Sequence, residues 1–282
     1  MPDDLEPTVE ALVQAALAED LGKAGDLTSL FFVDAEERSE GVIAARERGV
    51  AAGIEVALRV FEVVDAGITA KAQCSDGTAL EPGTVLIQLE GDSQSILTAE
   101  RTALNFLQRL SGIATATRAY CDLVEGTNAV ILDTRKTMPG WRWLDKMAVR
   151  AGGGQNHRMG LYDRVMLKDN HLAALDSTQM QAGINAFKEE HPEIEIEIET
   201  DNLEQVQRFL EMKNVDYLLL DNMSLDQLRA AVEMNKTETR LEASGGVSLQ
   251  TVRSIAETGV DFISVGALTH SVKALDIGLD FS

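Results

Sequence analysis

In the second half of the chain, short apolar runs alternate with stretches of helical periodicity, a pattern that few folds accommodate. The runs are Ala129 to Asp133, Arg164 to Lys168, Ile194 to Glu199, Asp216 to Asp221, Arg240 to Ala243 and Asp261 to Val265. Strand, helix, strand at this interval builds a parallel sheet, because a parallel neighbour is reached only through a crossover. Six such units are visible, against the eight of a complete barrel. An incomplete barrel and an open, doubly wound sheet are both compatible with that count. No GxGxxG follows the first run, which weighs against the dinucleotide-binding form of the open sheet.

The polar residues sharpen this reading. Arg135 with Lys136, then Lys168, Glu199, Asp221, Ser244 with Gly245 and Gly246, and Gly266 all fall at the carboxyl end of an expected strand or just beyond it. Parallel α/β folds place their chemistry on that rim. A single such residue could be a helix cap, but one at every strand end points to a shared site.

The first half obeys a different grammar. Val9, Leu12, Val13, Ala16 and Leu17 have helical spacing, and β-rich runs follow at Gly41 to Ala45, Ile68 to Gln73 and Thr84 to Leu89, with a helix over Ile54 to Asp65. A long helical pattern from Ser95 to Val124, expected to break near Ser111 and Gly112, carries the domain boundary. The expected division is an N-terminal α+β domain over residues 1–115 and the strand-helix repeat over residues 116–282.

The formal net charge of −21 works against nucleic acid or an anionic membrane as a partner, since both reward a basic footprint. Between Thr134 and Lys168, however, eight lysines and arginines stand against two acids, with His157 among them. A pocket for a small polyanion explains that concentration better than a solvated helix face. Arginine grips a planar carboxylate with two parallel hydrogen bonds, whereas lysine acts as a mobile point charge. Met1 to Glu10 is acidic where a signal peptide needs positive charge, and no run approaches the ~20 apolar residues of a membrane span. Cys74 and Cys121 sit in unrelated contexts, so a cytoplasmic protein with free thiols is expected.

Several clusters bear on chemistry. Gly152 to Gly154 followed by Gln155, Asn156, His157 and Arg158 lets backbone approach a ligand with donors close behind. In the run Glu193 to Glu199, glutamates alternate with isoleucines. That is a half-exposed strand or, in a barrel, an inward acidic face that needs cations. Glu199 and Asp221 offer hard oxygens on adjacent strand ends, suited to Mg²⁺, to sugar hydroxyls or to structural ion pairs. The glycine-rich steps at Ser244 to Gly246 and at Gly266 suit phosphate, because barrels often bind it in the loops after their last two strands. Of the four histidines, His157 and His270 are the better candidates for ligand contact, and no spacing suggests zinc.

DTRKT (Asp133 to Thr137), GGGQNHR (Gly152 to Arg158), LKDNH (Leu167 to His171), LLLDN (Leu218 to Asn222), ASGGV (Ala243 to Val247) and TGVDFISVGALTH (Thr258 to His270) together resemble the quinolinate phosphoribosyltransferase family. GDLTS (Gly25 to Ser29) and ERTALNFLQRLSGIAT (Glu100 to Thr115) extend the resemblance over nearly the whole chain. Each motif alone is weak, but their joint order is specific. The resemblance implies an N-terminal α/β sandwich and an incomplete, six to seven stranded TIM-like α/β barrel, paired as a homodimer in which Arg101 reaches the partner's site. It implies that Arg135, His157, Arg158 and Lys168 surround quinolinate with Lys136 nearby. Glu199 and Asp221 would contact the ribose or its Mg²⁺, and Ser244, Gly245, Gly246, Gly266 and His270 would hold phosphate.

The implied reaction is transfer of phosphoribose from phosphoribosyl pyrophosphate to quinolinate with loss of carbon dioxide, with Lys136, Lys168, Glu199 and Asp221 as the catalytic groups. Three rivals remain open on the sequence: a phosphoribosyltransferase of the same fold acting on another heteroaromatic acid, an aldolase with Lys168 as Schiff-base amine, and a non-catalytic phosphate sensor.

Overall fold

The computed structural model describes residues 6–168, 171 and 176–282. In chain order the elements are α1 (Glu6–Leu21), α2 (Leu27–Phe32), β1 (Arg38–Ala45), β2 (Gly49–Val50), α3 (Ile54–Val64), β3 (Thr69–Ala72), β4 (Ala79–Leu80), β5 (Val85–Asp92) and α4 (Ser93–Val124). They continue with β6 (Val130–Leu132), α5 (Arg142–Ala151), β7 (Arg164–Leu167), α6 (Ser177–Glu190), β8 (Glu195–Thr200), α7 (Leu203–Leu210) and β9 (Tyr217–Asp221). The last are α8 (Leu225–Met234), β10 (Arg240–Ser244), α9 (Val252–Ala256), β11 (Phe262–Ser264), α10 (Ala267–His270) and β12 (Ile277–Phe281). The chain divides into two compact units interleaved in sequence. The first comprises the chain up to Arg118, Met138–Gly153 and Ser271–Ser282, and the second Ala119–Thr137 and Gly154–His270.

In the first unit an antiparallel sheet runs β12-β1-β5-β3. The C-terminal strand lies against β1, Gly41 opposite Phe281 and Ala45 opposite Ile277. The last residues of the expected 116–282 segment therefore complete the N-terminal sheet. α3 buries one face, Ile54, Val56, Ala57, Val60 and Phe61, as an amphipathic helix must. The GDLTS motif is a helix start: the Asp26 carboxylate accepts the backbone N–H groups of Thr28 and Ser29, each at 3.0 Å.

α4 runs unbroken for 32 residues, without the expected interruption at Ser111 and Gly112. Both residues are there for packing. The Ser111 hydroxyl accepts the Ala52 N–H at 3.0 Å, and a Cβ on Gly112 would collide with the Lys273 carbonyl oxygen and stand 3.2 Å from Ala274 Cα. Backbone of the returning C-terminal segment thus occupies the space a side chain would take.

The second unit is a parallel sheet of six strands in the order β6-β11-β10-β9-β8-β7. All six strands expected from the sequence are present. β6 and β11 pair, so the sheet curls round on itself and stays open only between β6 and β7; this is the incomplete barrel rather than the open doubly wound sheet. Ile196 and Ile198 of β8 are buried on the side of α7. Glu197, between them, faces the interior and is fully buried.

Gly112→Ala should therefore lower stability by about 1–3 kcal/mol, the usual cost of overpacking a filled site, read as an earlier urea midpoint. An unchanged midpoint would show that the C-terminal segment can move aside.

Candidate active site

The carboxyl rim of the barrel collects the residues singled out from the sequence. Lys168, directly after β7, donates from its amine to the Glu199 carboxylate on β8. Asp221 ends β9 and accepts the Asn222 amide at 2.7 Å. Asn222 takes the left-handed conformation (φ 51°), its backbone N–H bonds the Ser244 carbonyl at 2.8 Å, and its side chain fills the space a Cβ on Gly245 would need. Gly245 (φ 92°) and Gly246 (φ 62°) turn the chain after β10 through positive backbone angles that favour glycine. After β11, a Cβ on Gly266 would stand 3.1 Å from Lys136 Cδ and 3.2 Å from the His270 ring, so this glycine lets those two side chains converge. The Thr269 hydroxyl ties them further by donating to the Lys136 carbonyl at 3.0 Å.

The glycine motif closes the gap in the barrel. Gln155 lies along the free edge of β6, donating to the Ile131 carbonyl at 2.9 Å and accepting from Asp133 N–H at 3.2 Å. The buried Asp133 carboxylate then receives the His157 N–H at 2.9 Å and the Asn156 amide at 2.6 Å. Arg158 crosses to β7, donating to the Arg164 carbonyl at 3.1 Å. Burial, and after it the guanidinium of Arg135 nearby, lower the pKa of Arg158. Two crowded guanidinium groups at a cleft create a field that an anion relieves.

Beneath the rim the barrel interior is ionised rather than oily. Arg164 donates to Glu195 at 2.6 Å and lies 4.1 Å over the Tyr217 ring. One level up, His157 Nδ1 accepts the Arg158 N–H at 2.7 Å, so the ring proton is on Nε2. That nitrogen faces Glu197 at 3.0 Å and Glu242 at 3.6 Å. Ser264 donates its hydroxyl to Glu242, and Arg164 stands 3.8 Å from Glu197. Burial first, and the Glu197 charge second, hold Glu242 well above its ordinary value of 4.5, which favours its neutral form. His157, Glu197 and Glu242 are close enough to suggest a metal, but a protonated carboxyl beside a guanidinium suits a shared proton better than a cation.

Arg135, Lys136, His157, Arg158, Lys168, Glu199, Asp221, Ser244, Gly245, Gly246, Gly266 and His270 all belong to the second unit. Arg101 is exposed on α4 in the first. The basic cluster is divided: Arg142, Lys146 and Arg150 are on α5 of the first unit, and Arg164 turns into the barrel. His171 closes a turn by accepting the Lys168 N–H at 3.1 Å, while Asp169 and Asn170 of the LKDNH motif lie outside the described residues. Asp133, Asn156, Glu197 and Glu242 were not assigned from the sequence; for the two glutamates the alternation along their strands was the available signal.

A cavity of about 470 Å³ opens at the opposite, amino end of the strands between Glu195, Asp216, Tyr217 and Arg240. Its charged walls are satisfied internally, Tyr217 donating to Glu195 and Arg240 to Tyr217, each at 2.9 Å. The rim is the better site, since its groups converge from every strand of the barrel. Glu199 and Asp221, both part-exposed, present two carboxylates on neighbouring strands. That donor set fits a magnesium ion which keeps most of its shell as water and phosphate.

Fold and rim define an α/β-barrel enzyme for small, highly charged substrates. The family model for the quinolinate phosphoribosyl transferase N-terminal domain matches residues 26–111, and that for the C-terminal domain residues 113–280. The nicotinate-nucleotide pyrophosphorylase [carboxylating] of Mycobacterium leprae is 44% identical over 95% of both chains. The chloroplastic protein of that name from Arabidopsis thaliana is 41% identical over 96% of this chain and 82% of its own. The structure of the nicotinate-nucleotide pyrophosphorylase from Francisella tularensis superposes with a TM-score of 0.91 at 36% identity, covering 100% of this chain and 98% of that one. The chain belongs to the quinolinate phosphoribosyltransferase family.

The neutral Glu242 has a consequence for stability. A carboxyl whose folded pKa is raised contributes fully below its unfolded value, near 4.5, and that contribution is lost as pH rises toward the folded value. Glu242→Gln, which cannot ionise, should gain on the native protein in urea unfolding as pH is raised from 4.5. A difference that stays constant across that range would mean that Glu242 is ionised in the folded chain.

Proposed function

We propose that the chain transfers phosphoribose from phosphoribosyl pyrophosphate to the ring nitrogen of quinolinate and releases carbon dioxide and pyrophosphate, forming nicotinate mononucleotide for NAD synthesis. Family membership over nearly the whole chain carries this reading, and it weighs against the aldolase and the phosphate sensor. The rim supports the chemistry. Arg158 and Arg135, crowded together, suit the two carboxylates of the pyridine, and Lys168 stands beside Glu199 where that ring would meet the sugar.

The pyridine nitrogen attacks the anomeric carbon as the C–O bond to pyrophosphate breaks. Positive charge grows on the sugar, and the carboxylates of Glu199 and Asp221 stabilise it. Magnesium, when bound, neutralises charge on the departing pyrophosphate. Lys136 and His270, brought together over Gly266, and the turn Ser244–Gly246 receive the phosphates. A cationic pocket favours a bound carboxylate and so opposes its loss. Quaternising the ring nitrogen first removes that obstacle, because the adjacent positive nitrogen stabilises the electron pair left on the neighbouring carbon, which then takes a proton from water. Transfer therefore precedes decarboxylation.

The working form is a cytoplasmic homodimer. α2 leaves Leu27, Leu30, Phe31 and Phe32 56%, 56%, 77% and 84% exposed, an apolar patch that favours a partner surface. Arg101 is supplied across that pairing. Among the described residues no helix is long and apolar enough to cross a membrane.

Purified protein with quinolinate, phosphoribosyl pyrophosphate and Mg²⁺ should yield nicotinate mononucleotide and carbon dioxide in equal amounts. With the ribosyl donor omitted, carboxyl-labelled quinolinate should retain its label; label loss there would reverse the order of steps. For the dimer, Arg101→Ala and Lys168→Ala proteins, each inactive alone, should on subunit exchange recover about a quarter of native activity, since half the dimers then carry one intact site. No recovery after proven exchange would place Arg101 in its own subunit's site.

A further inference from the structure

Two carboxylates inside the barrel face the same imidazole N–H: Glu197 at 3.0 Å and Glu242 at 3.6 Å from His157 Nε2. One N–H cannot satisfy two buried carboxylates, so a second proton must lie between them. Their neighbours decide where it resides. Arg164 stands 3.8 Å from Glu197 and compensates its charge, whereas Glu242 receives the Ser264 hydroxyl on its other oxygen. The proton therefore rests on Glu242, and Ser264 on β11, Glu242 on β10, Glu197 on β8 and the His157 ring form one buried polar cluster.

The ring passes this constraint upward. His157 Nε2 faces the two carboxylates, so the ring presents Nδ1 as its acceptor, and what it accepts is the backbone N–H of Arg158 at 2.7 Å. The His157 N–H is itself fixed by Asp133 at 2.9 Å. Arg158 then leaves the backbone from a point tied at both peptide groups, with its guanidinium on the Arg164 carbonyl at 3.1 Å and the Met166 sulfur at 3.5 Å.

We infer that Glu242 is a positioning residue: through Glu197 and His157 it fixes the tautomer and orientation that hold Arg158 ready for a substrate carboxylate. This rests on the reading of Arg158 as a quinolinate-binding residue. Glu242 touches no substrate. Its effect belongs to recognition of the diacid and leaves the ribosyl donor, bound by other groups, unaffected.

The full-length enzyme with both substrates tests this. Glu242→Ala should raise KM for quinolinate about tenfold, with KM for phosphoribosyl pyrophosphate within about twofold of native. Glu242→Gln keeps a neutral donor toward Glu197 and an acceptor for Ser264, and should restore the quinolinate KM to within about twofold. Combined with Arg158→Ala, Glu242→Ala should add less than about twofold, because both changes act on one contact. Should Glu242→Ala fail to fold, Ser264→Ala takes its place, with about a threefold rise for quinolinate alone. Equal losses for both substrates, no recovery with Gln, or full additivity with Arg158→Ala would overturn the inference, as would an unchanged quinolinate KM in Ser264→Ala. If Arg158→Ala itself leaves the quinolinate KM unchanged, the assignment of Arg158 fails, a result distinct from an effect of Arg158→Ala without one from Glu242→Ala.

Discussion

At the end of β6, the Asp133 carboxylate is fully buried and holds the His157 N–H and the Asn156 amide. An ionised carboxylate in the interior costs several kcal/mol unless hydrogen bonds compensate it, so the segment that supplies those bonds has little freedom to move. That segment stands along the free edge of β6 and reaches β7 through Arg158, which spans the one gap in the strand order. β6 and β7 do not pair; the main chain of Gln155 and the side chain of Arg158 complete the circle here. The same bonds set the positions of His157 and Arg158, so the closure of the barrel and the placement of its cationic pocket are one arrangement.

A chain with a net charge of −21 must gather positive potential locally if it is to hold a polyanion. Two devices do so. The glycines at 245 and 266 leave room where Asn222, Lys136 and His270 must pass, and burial of Arg158, with the guanidinium of Arg135 beside it, lowers its pKa, a sign that bulk solvent screens little there. Charge elsewhere on the molecule acts over longer distances and is damped by salt, which leaves the site governed by its own few cations.

How far the sequence disclosed this depended on whether each feature was local. All six barrel strands were legible because a run such as Leu218 to Asp221, between helical stretches, has one compatible fold context. The rim followed from topology, since residues at strand ends must converge once the strands are parallel. Pairing across the chain was not legible: nothing in Ile277 to Phe281 announces that it will complete a sheet with Gly41 to Ala45. The unbroken α4 was misread because Gly112 has two uses, and only the approach of Lys273 shows which applies. The basic cluster was overcounted for a similar reason, as its members on α5 fold with the other unit. The burial of His157 against Glu197 and Glu242 was not legible either, because β8 and β10 are not neighbours in the sheet and meet only through side chains that point into the barrel.

Barrel interiors of this kind are commonly filled by layers of branched apolar side chains. Here those layers carry Arg164, Glu195, Glu197, His157, Glu242 and Tyr217. Replacing buried ion pairs by apolar residues of similar volume is often neutral or stabilising, so stability alone does not call for this interior. What apolar layers could not supply is direction. Arg164 at the base compensates Glu197 one level above it, lends its carbonyl to Arg158 and packs on Tyr217 to the side, which links the base of the barrel to the rim through groups whose hydrogen bonds admit few alternative geometries. A rim arginine standing on an oily core would be free to swing. Standing on this core, its guanidinium is held in place before any anion arrives, and the entropy of ordering it is met in folding rather than at each binding event.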